Sequence, residues 1–278
     1  MSTKGLCERF AWSAESEVRN ALTTYYEPVQ PFVLVALAKH LNNAIFIDGG
    51  ANVGFYTVVM GSELTIAEVY AFEPMPVPAA AVRWNASANL DGKPVRVIEA
   101  ALSDSQGMLA FAVVGSTAGD NGALADTTYA HDDIDVLEVR CSRLDDEIHA
   151  VGRDLLLKVD VEGHELSLLR GAQRILLENR GFMQIEVHPE SPSRAHTIQL
   201  LSELGWQELL RVGPDHYFTN VPEAMNDAFR LEILGDAMDN LVESSKGSQR
   251  ASRRRIAPGV YLEVSRRKVD AVKRLLRR

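Results

Sequence analysis

Along this chain, short unbroken apolar runs alternate with longer stretches whose apolar residues recur at helical spacing. Ile45, Phe46 and Ile47 suit a strand buried on both faces, and Asp48 with glycines at 49, 50 and 54 marks an abrupt turn behind it. A helix over 55–61 is expected to leave that turn, with its first amides pointing back at it. Further strands are expected at 69–72, 95–100, 155–158 and 183–187, separated by helices over 79–90 and 165–177. This alternation predicts an α/β fold with a mostly parallel sheet and helices on both faces.

The pattern changes in four places. Between 108 and 140 the helical period is lost, and strands at 108–114 and 136–140 are expected to flank a loop rich in Gly, Asp and Thr. That hairpin tip is either a substrate lid or disordered. Residues 206–211 and 216–219 read as a closing antiparallel pair. Before the first strand, residues 1–43 read as a helical leader (15–26 and 29–41) carrying Phe10, Trp12, Tyr25 and Tyr26, which lids the site or covers a sheet edge. After the last strand, 225–242 spaces Phe229, Ile233, Leu234, Met238 and Leu241 along one stripe. A polar linker (244–252), a short strand (260–264) and a basic helix (266–278) complete the pattern. The organisation expected is a leader (1–43), a central domain (44–221) and a helical extension (222–278).

With 278 residues and 46% apolar content, the chain can bury one substantial core. No apolar run approaches the roughly 18–20 residues that span a bilayer, and the first residues lack a secretory pattern, so a cytoplasmic protein is expected. Cys7 and Cys141 have neither disulfide-framework nor zinc-ligand spacing. Charge is unevenly distributed: residues 246–278 hold 12 of the 29 Lys and Arg but only 2 of the 38 acids, leaving 17 basic and 36 acidic residues before them. An acidic body argues against a nucleic-acid enzyme. The basic tail suits an anionic membrane surface, nucleic acid, or the acidic body of its own or a neighbouring subunit in a homo-oligomer, the last being favoured.

The glycine turn reads Gly50-Ala51-Asn52-Val53-Gly54, which is not the G-x-G-x-x-G of a dinucleotide site. Asn52 tolerates the left-handed backbone that a third glycine would supply. An acid at the strand end, Asp48, can bind an ammonium group, which S-adenosylmethionine carries where a dinucleotide carries pyrophosphate. Glu73 ends the second strand, placed for the two ribose hydroxyls. The competing account is a turn that merely packs a helix on a sheet. Ser103 and Asp104, after the third strand, are candidates for adenine contact or an ordinary turn. The fourth strand runs into Asp160, Glu162, His164 and Glu165, and the fifth ends with Glu186 and His188 on one face.

In order along the chain, FIDGGANVGFYT, YAFEP, IEAALSD, RLDDEI, LLLKVDVEGHELSLLRGA and IEVHP resemble the FkbM family of S-adenosylmethionine-dependent methyltransferases over roughly residues 44–190. The resemblance implies a class I Rossmann-like methyltransferase fold and, for most members with an assigned reaction, methylation of hydroxyl oxygens on sugars or polyketide-type natural products. It also implies cofactor contacts at Asp48, Gly50, Asn52, Gly54, Glu73, Ser103 and Asp104, with 158–165 facing cofactor and substrate.

Methyl transfer to an alcohol needs collinear reacting atoms and a base for the hydroxyl proton. His164 or His188 is the expected base, with Glu162 and Glu186 as further candidates and Asp160 positioning the acceptor or the methionine ammonium. A second version has Asp160, Glu186 and His188 binding Mg²⁺ to acidify the hydroxyl, although no metal is the favoured reading. The acceptor is expected to be a small or carrier-bound hydroxyl compound. A domain that binds the cofactor without turnover is the non-enzymatic alternative, and a dinucleotide oxidoreductase ranks behind both.

Overall fold

A computed structural model of the protein describes residues 4–13, 27–114, 122–123 and 134–252. The leader helix expected over 15–26, most of the hairpin tip and the tail from 253 onward lie outside the described residues. The chain opens with α1 (Lys4–Cys7) and α2 (Gln30–Ala38), followed by β1 (Ala44–Gly49), α3 (Phe55–Gly61), β2 (Ile66–Phe72), α4 (Pro76–Asn89) and β3 (Val95–Ile98). Next come β4 (Ala101–Leu102), β5 (Gly107–Val114), β6 (Gly122–Ala123), β7 (Ile134–Ser142), α5 (Leu144–Glu147) and β8 (Asp154–Val159). The remainder is α6 (Glu165–Arg170), α7 (Gln173–Glu178), β9 (Arg180–Glu186), α8 (Arg194–Glu203), β10 (Gln207–Val212), β11 (Asp215–Thr219) and α9 (Asp227–Ser252).

Seven strands form the main sheet in the order β10-β11-β9-β8-β1-β2-β3. Every neighbouring pair is parallel except the two made by β11, which runs against β9 and β10. This is the mostly parallel, Rossmann-like arrangement expected from the sequence. Alternation along the central strands divides the core in two. Ala44, Phe46, Leu156 and Phe182 face α2, α3 and α9, while Ile45, Ile47, Leu155, Leu157, Met183 and Ile185 face α6, α7 and α8. Burying both faces accounts for the unbroken apolar runs.

Several boundaries differ from expectation. The third strand ends at Ile98 rather than 100, because the chain crosses into a second sheet, ordered β4-β7-β5-β6, where Ala101 pairs with Cys141. The helix expected over 165–177 is broken at Gly171, where a Cβ would lie 1.9 Å from the Ser103 carbonyl oxygen. The helix expected from 79 begins at Pro76, since proline's fixed φ and missing N–H suit the first helical position. The stretch read as a linker over 244–252 continues α9.

Helix α9 packs on α2 with Ile233, Ala237 and Leu241 buried, and the Phe229 ring stacks on Phe182 at 5.8 Å. At the other end of the chain, the Ser13 and Ala11 amides donate to the side-chain oxygens of Asn85 and Asn89, both 2.8 Å, while Trp12 stacks on Phe55. The described leader residues are thereby fixed to α4 and α3. Among the described residues no helix is long and apolar enough to cross a membrane.

Candidate active site

A cavity of about 220 Å³ opens at the carboxyl edge of the sheet, where β1, β2, β8 and β9 end. Its floor is the turn after β1. Gly50 (φ 81°), Asn52 (φ 50°) and Gly54 (φ 81°) all take left-handed backbone there, the conformation expected of the two glycines and the asparagine. The amides of Gly50 and Ala51 both donate to the Phe72 carbonyl, at 3.1 and 2.9 Å. Gly54 is also pressed against α4: a Cβ there would lie 3.1 Å from a Val82 methyl.

Glu73 lines the cavity at the tip of β2 and is 6% exposed. Its Oε2 accepts from the Asn52 amide at 2.8 Å, and its Oε1 accepts from the Met75 amide at 2.9 Å. These bonds fix the carboxylate against the glycine turn. Asp48 behaves differently from expectation. It is 1% exposed and does not line the cavity; Thr57 Oγ1 donates to its Oδ2 at 2.6 Å from the first turn of α3. Burial raises its pKa, with Lys158 and Thr57 acting against the rise. The side chain sits behind the turn rather than in it.

The expected adenine contacts are likewise displaced. Ser103 is buried with its Oγ 2.9 Å from His164 Nε2, Asp104 is exposed, and neither lines the cavity. Ala100, Ala101 and Leu102 line it instead, with Leu109 and Phe111 from the second sheet. The crossing of the chain after Ile98 causes this substitution.

The opposite half is rich in carboxylates. Lys158, 3% exposed, donates to Asp160 Oδ2 at 2.8 Å, and its ammonium lies 5.0 Å from the centre of the Tyr56 ring. Tyr56 donates its hydroxyl hydrogen bond to Glu27. Glu27, Asp160, Glu162 and Glu186 all line the cavity. Glu162 holds a left-handed backbone (φ 51°) between β8 and α6, a conformation rare outside glycine and asparagine. Burial pushes the Glu186 carboxyl up to about 8, reinforced by Asp160 and Asp215 and opposed by Lys158. Burial likewise pushes Glu27 to about 8, with Lys158 opposing and Asp160 and Asp215 reinforcing.

Of the two histidines considered as bases, His164 lines the cavity and shares its Nε2 contact with Ser103. His188 does not line it; the ring is exposed, with Nε2 3.4 Å from Glu186 Oε1. Among the described residues no three His, Cys, Asp or Glu side chains are arranged to hold a metal ion, and Asp160, Glu186 and His188 do not make such a group.

Similarity decides the family. A model described as the methyltransferase FkbM domain matches residues 48–207, more than half of the chain. The chain belongs to the FkbM methyltransferase family. Methyltransferase sdnD of Sordaria araneosa is 25% identical over 197 residues, covering 61% of this chain and 76% of that protein. Among solved structures, the methyltransferase FkbM of Methylobacillus flagellatus is 18% identical with a TM-score of 0.46. The alignment covers 77% of this chain and 56% of that one. A Streptococcus mutans protein solved with SAH is 13% identical, with a TM-score of 0.44 over 69% of this chain and 96% of that one.

The FkbM domain therefore supplies most of the cavity wall but not all of it. Among the lining residues, Glu27 lies outside the matched region. Sequence reasoning missed Glu27 because no motif or periodicity marks it. Tyr56 was hidden in an apolar helix, whereas Lys158, a cation inside the apolar run LLLKV, was a signal that could have been read.

Proposed function

We propose that this protein is an S-adenosylmethionine-dependent O-methyltransferase acting on a hydroxyl group of a small natural product or sugar. The observation that carries this reading is the pairing of two unlike ends in one cavity. Glu73, fixed by two backbone amides against the glycine turn, suits a ribose diol; Glu27, Asp160 and Glu186 suit positive charge. The absence of a side chain at Gly50 lets this turn pack directly on the Asp160 main chain, which brings the two ends of the cavity together. S-adenosylmethionine, when bound, supplies an electrophilic methyl group on a cationic sulfur.

The chain's residues have two tasks in such a transfer. They must hold the acceptor oxygen in line with the methyl carbon, and they must take the hydroxyl proton as the new bond forms. Glu186 is the better placed base. It lines the cavity, and a pKa of about 8 brings it near neutrality, where a general base works best. A bound cation shifts it toward its ionised, proton-accepting form. His188, 3.4 Å away, can pass the proton to solvent, and Asp160, anchored by Lys158, positions the acceptor. His164 remains a candidate base whose ring is oriented by Ser103.

Calorimetry with S-adenosylhomocysteine and NAD, followed by a methyl-transfer assay over hydroxyl acceptors, tests the reading. Binding of the first ligand and not the second is expected. With an acceptor in hand, Glu186→Gln should lower kcat about 10²–10⁴-fold with little change in cofactor affinity. Tight NAD binding with no S-adenosylhomocysteine binding would refute the proposal.

A further inference from the structure

The two ends of the cavity differ in origin as well as charge. The ribose end is built wholly from the FkbM domain, whereas the far end includes Glu27, which lies 21 residues before the matched region begins at 48. Along the sheet edge the order is Glu73 on β2, the glycine turn on β1, Lys158 and Asp160 on β8, and Glu186 on β9, with Asp215 opening β11 beyond it. Glu27 belongs with the last group. Its hydrogen bond comes from Tyr56, whose ring carries the Lys158 ammonium, and the charges acting on it are those of Lys158, Asp160, Asp215 and Glu186. It therefore groups with the β8 and β9 side of the cavity rather than with Glu73.

Three features mark the surroundings of Glu27. Its backbone is left-handed (φ 34°), a conformation unfavourable for a non-glycine residue that persists only where surroundings enforce it. Three residues on, Gln30 Nε2 donates to Asp215 Oδ2 at 3.0 Å, tying this part of the leader to β11. The hydroxyl of Tyr217, fully buried, has no hydrogen-bond partner among the described residues and feels the charges of both Asp215 and Glu27. Behind the far end, among the described residues, a buried hydroxyl is thus left without a partner near the acids that surround Lys158.

We infer that Glu27 is a specificity-determining residue that makes the cavity prefer the positively charged methyl donor over its neutral product. Before transfer the donor sulfur carries a positive charge; after transfer the methyl group has left with the acceptor oxygen, the hydroxyl proton has gone to the base, and the sulfur is a neutral thioether. A carboxylate near that sulfur attracts the first species and loses the attraction after transfer, which favours product exchange. This inference rests on the cofactor assignment proposed above.

The test compares S-adenosylmethionine with S-adenosylhomocysteine, which differ by one methyl group and one charge, by calorimetry on the full chain without acceptor, at a pH above the value of about 8 at which the Glu27 carboxyl ionises. In the wild type the charged ligand should bind more tightly. Glu27→Gln should shrink the affinity ratio about tenfold, mainly by weakening S-adenosylmethionine, while Glu27→Asp, which keeps the charge, should hold it near the wild-type value. Glu27→Ala provides the same reading should the glutamine variant fail to fold. A ratio unchanged to within twofold in the folded neutral variants, with the homocysteine ligand still bound, overturns the role of Glu27 alone. Failure of the wild type to bind either ligand overturns the cofactor assignment and this inference together.

Discussion

A Cβ added at Gly50 would lie 1.8 Å from the carbonyl oxygen of Asp160. The two candidate motifs of this chain, more than 100 residues apart in sequence, therefore meet backbone against backbone. Gly49 reinforces the contact by accepting the Asp160 amide at 3.0 Å. Gly50→Ala combines that overlap with an unfavourable positive φ. The expected cost is about 1–2 kcal/mol for the backbone and about 1–3 kcal/mol for the overlap. Urea unfolding would measure the loss, and S-adenosylhomocysteine binding should fall with it, because any relief of the clash moves Asp160.

Glu73 joins stability to binding differently. Its two carboxylate oxygens satisfy the amides of Asn52 and Met75, so Glu73→Ala strands two backbone donors at the cavity wall. A loss on the order of 3 kcal/mol is expected from hydrogen bonds to a charged acceptor. Glu73→Gln keeps one acceptor oxygen and should recover part of that stability. Both variants should weaken cofactor binding, and parallel melts and calorimetry would separate the two effects.

Much of this architecture is written locally. The apolar runs of β1, β8 and β9, the left-handed triplet Gly50, Asn52 and Gly54, and the carboxylate at 73 follow from period, turn chemistry and motif. The orientation of Asp48 does not. In a strand buried on both faces alternation gives no preferred ligand side, and Thr57, one helical turn beyond the glycines, decides where the carboxylate goes. The Ser103 to His164 contact spans 61 residues and depends on β4 leaving the main sheet, which no local pattern announces. Asp145, in the RLDDEI motif, proves to be architectural. Its carboxylate accepts from the Arg174 and Ile175 amides at 3.0 and 2.9 Å and so caps α7.

The raised carboxyls make stability depend on pH in an unusual direction. Glu27 and Glu186 are held at about 8 in the folded chain, above their ordinary 4.5. Between those values the folded state keeps protons that the unfolded chain has released. Their contribution to stability is therefore full below about pH 4.5 and is lost as pH rises through about 8. The ligand-free protein should unfold at progressively lower urea concentration between pH 5 and pH 8.5. Glu186→Gln and Glu27→Gln should each flatten that slope. A urea midpoint that rises over this interval would contradict the assignment.

Lys158 tests the same electrostatics from the cationic side. It is 3% exposed, bonded to Asp160 and surrounded by the charges of Asp48, Glu27, Glu186 and Asp215. Lys158→Met keeps the bulk of the side chain but removes the charge, leaving those carboxylates without their buried counter-ion. Breaking a buried pair from one side typically costs about 3–5 kcal/mol, and that loss is expected at pH 8. It should shrink toward pH 5, where neighbouring carboxyls can take up protons in place of the missing ammonium. A bound sulfonium donor would also supply positive charge, so the variant should regain more stability from S-adenosylmethionine than from S-adenosylhomocysteine. Melting curves with each ligand at both pH values give the comparison. Equal stabilisation by the two would place the donor's charge away from Lys158.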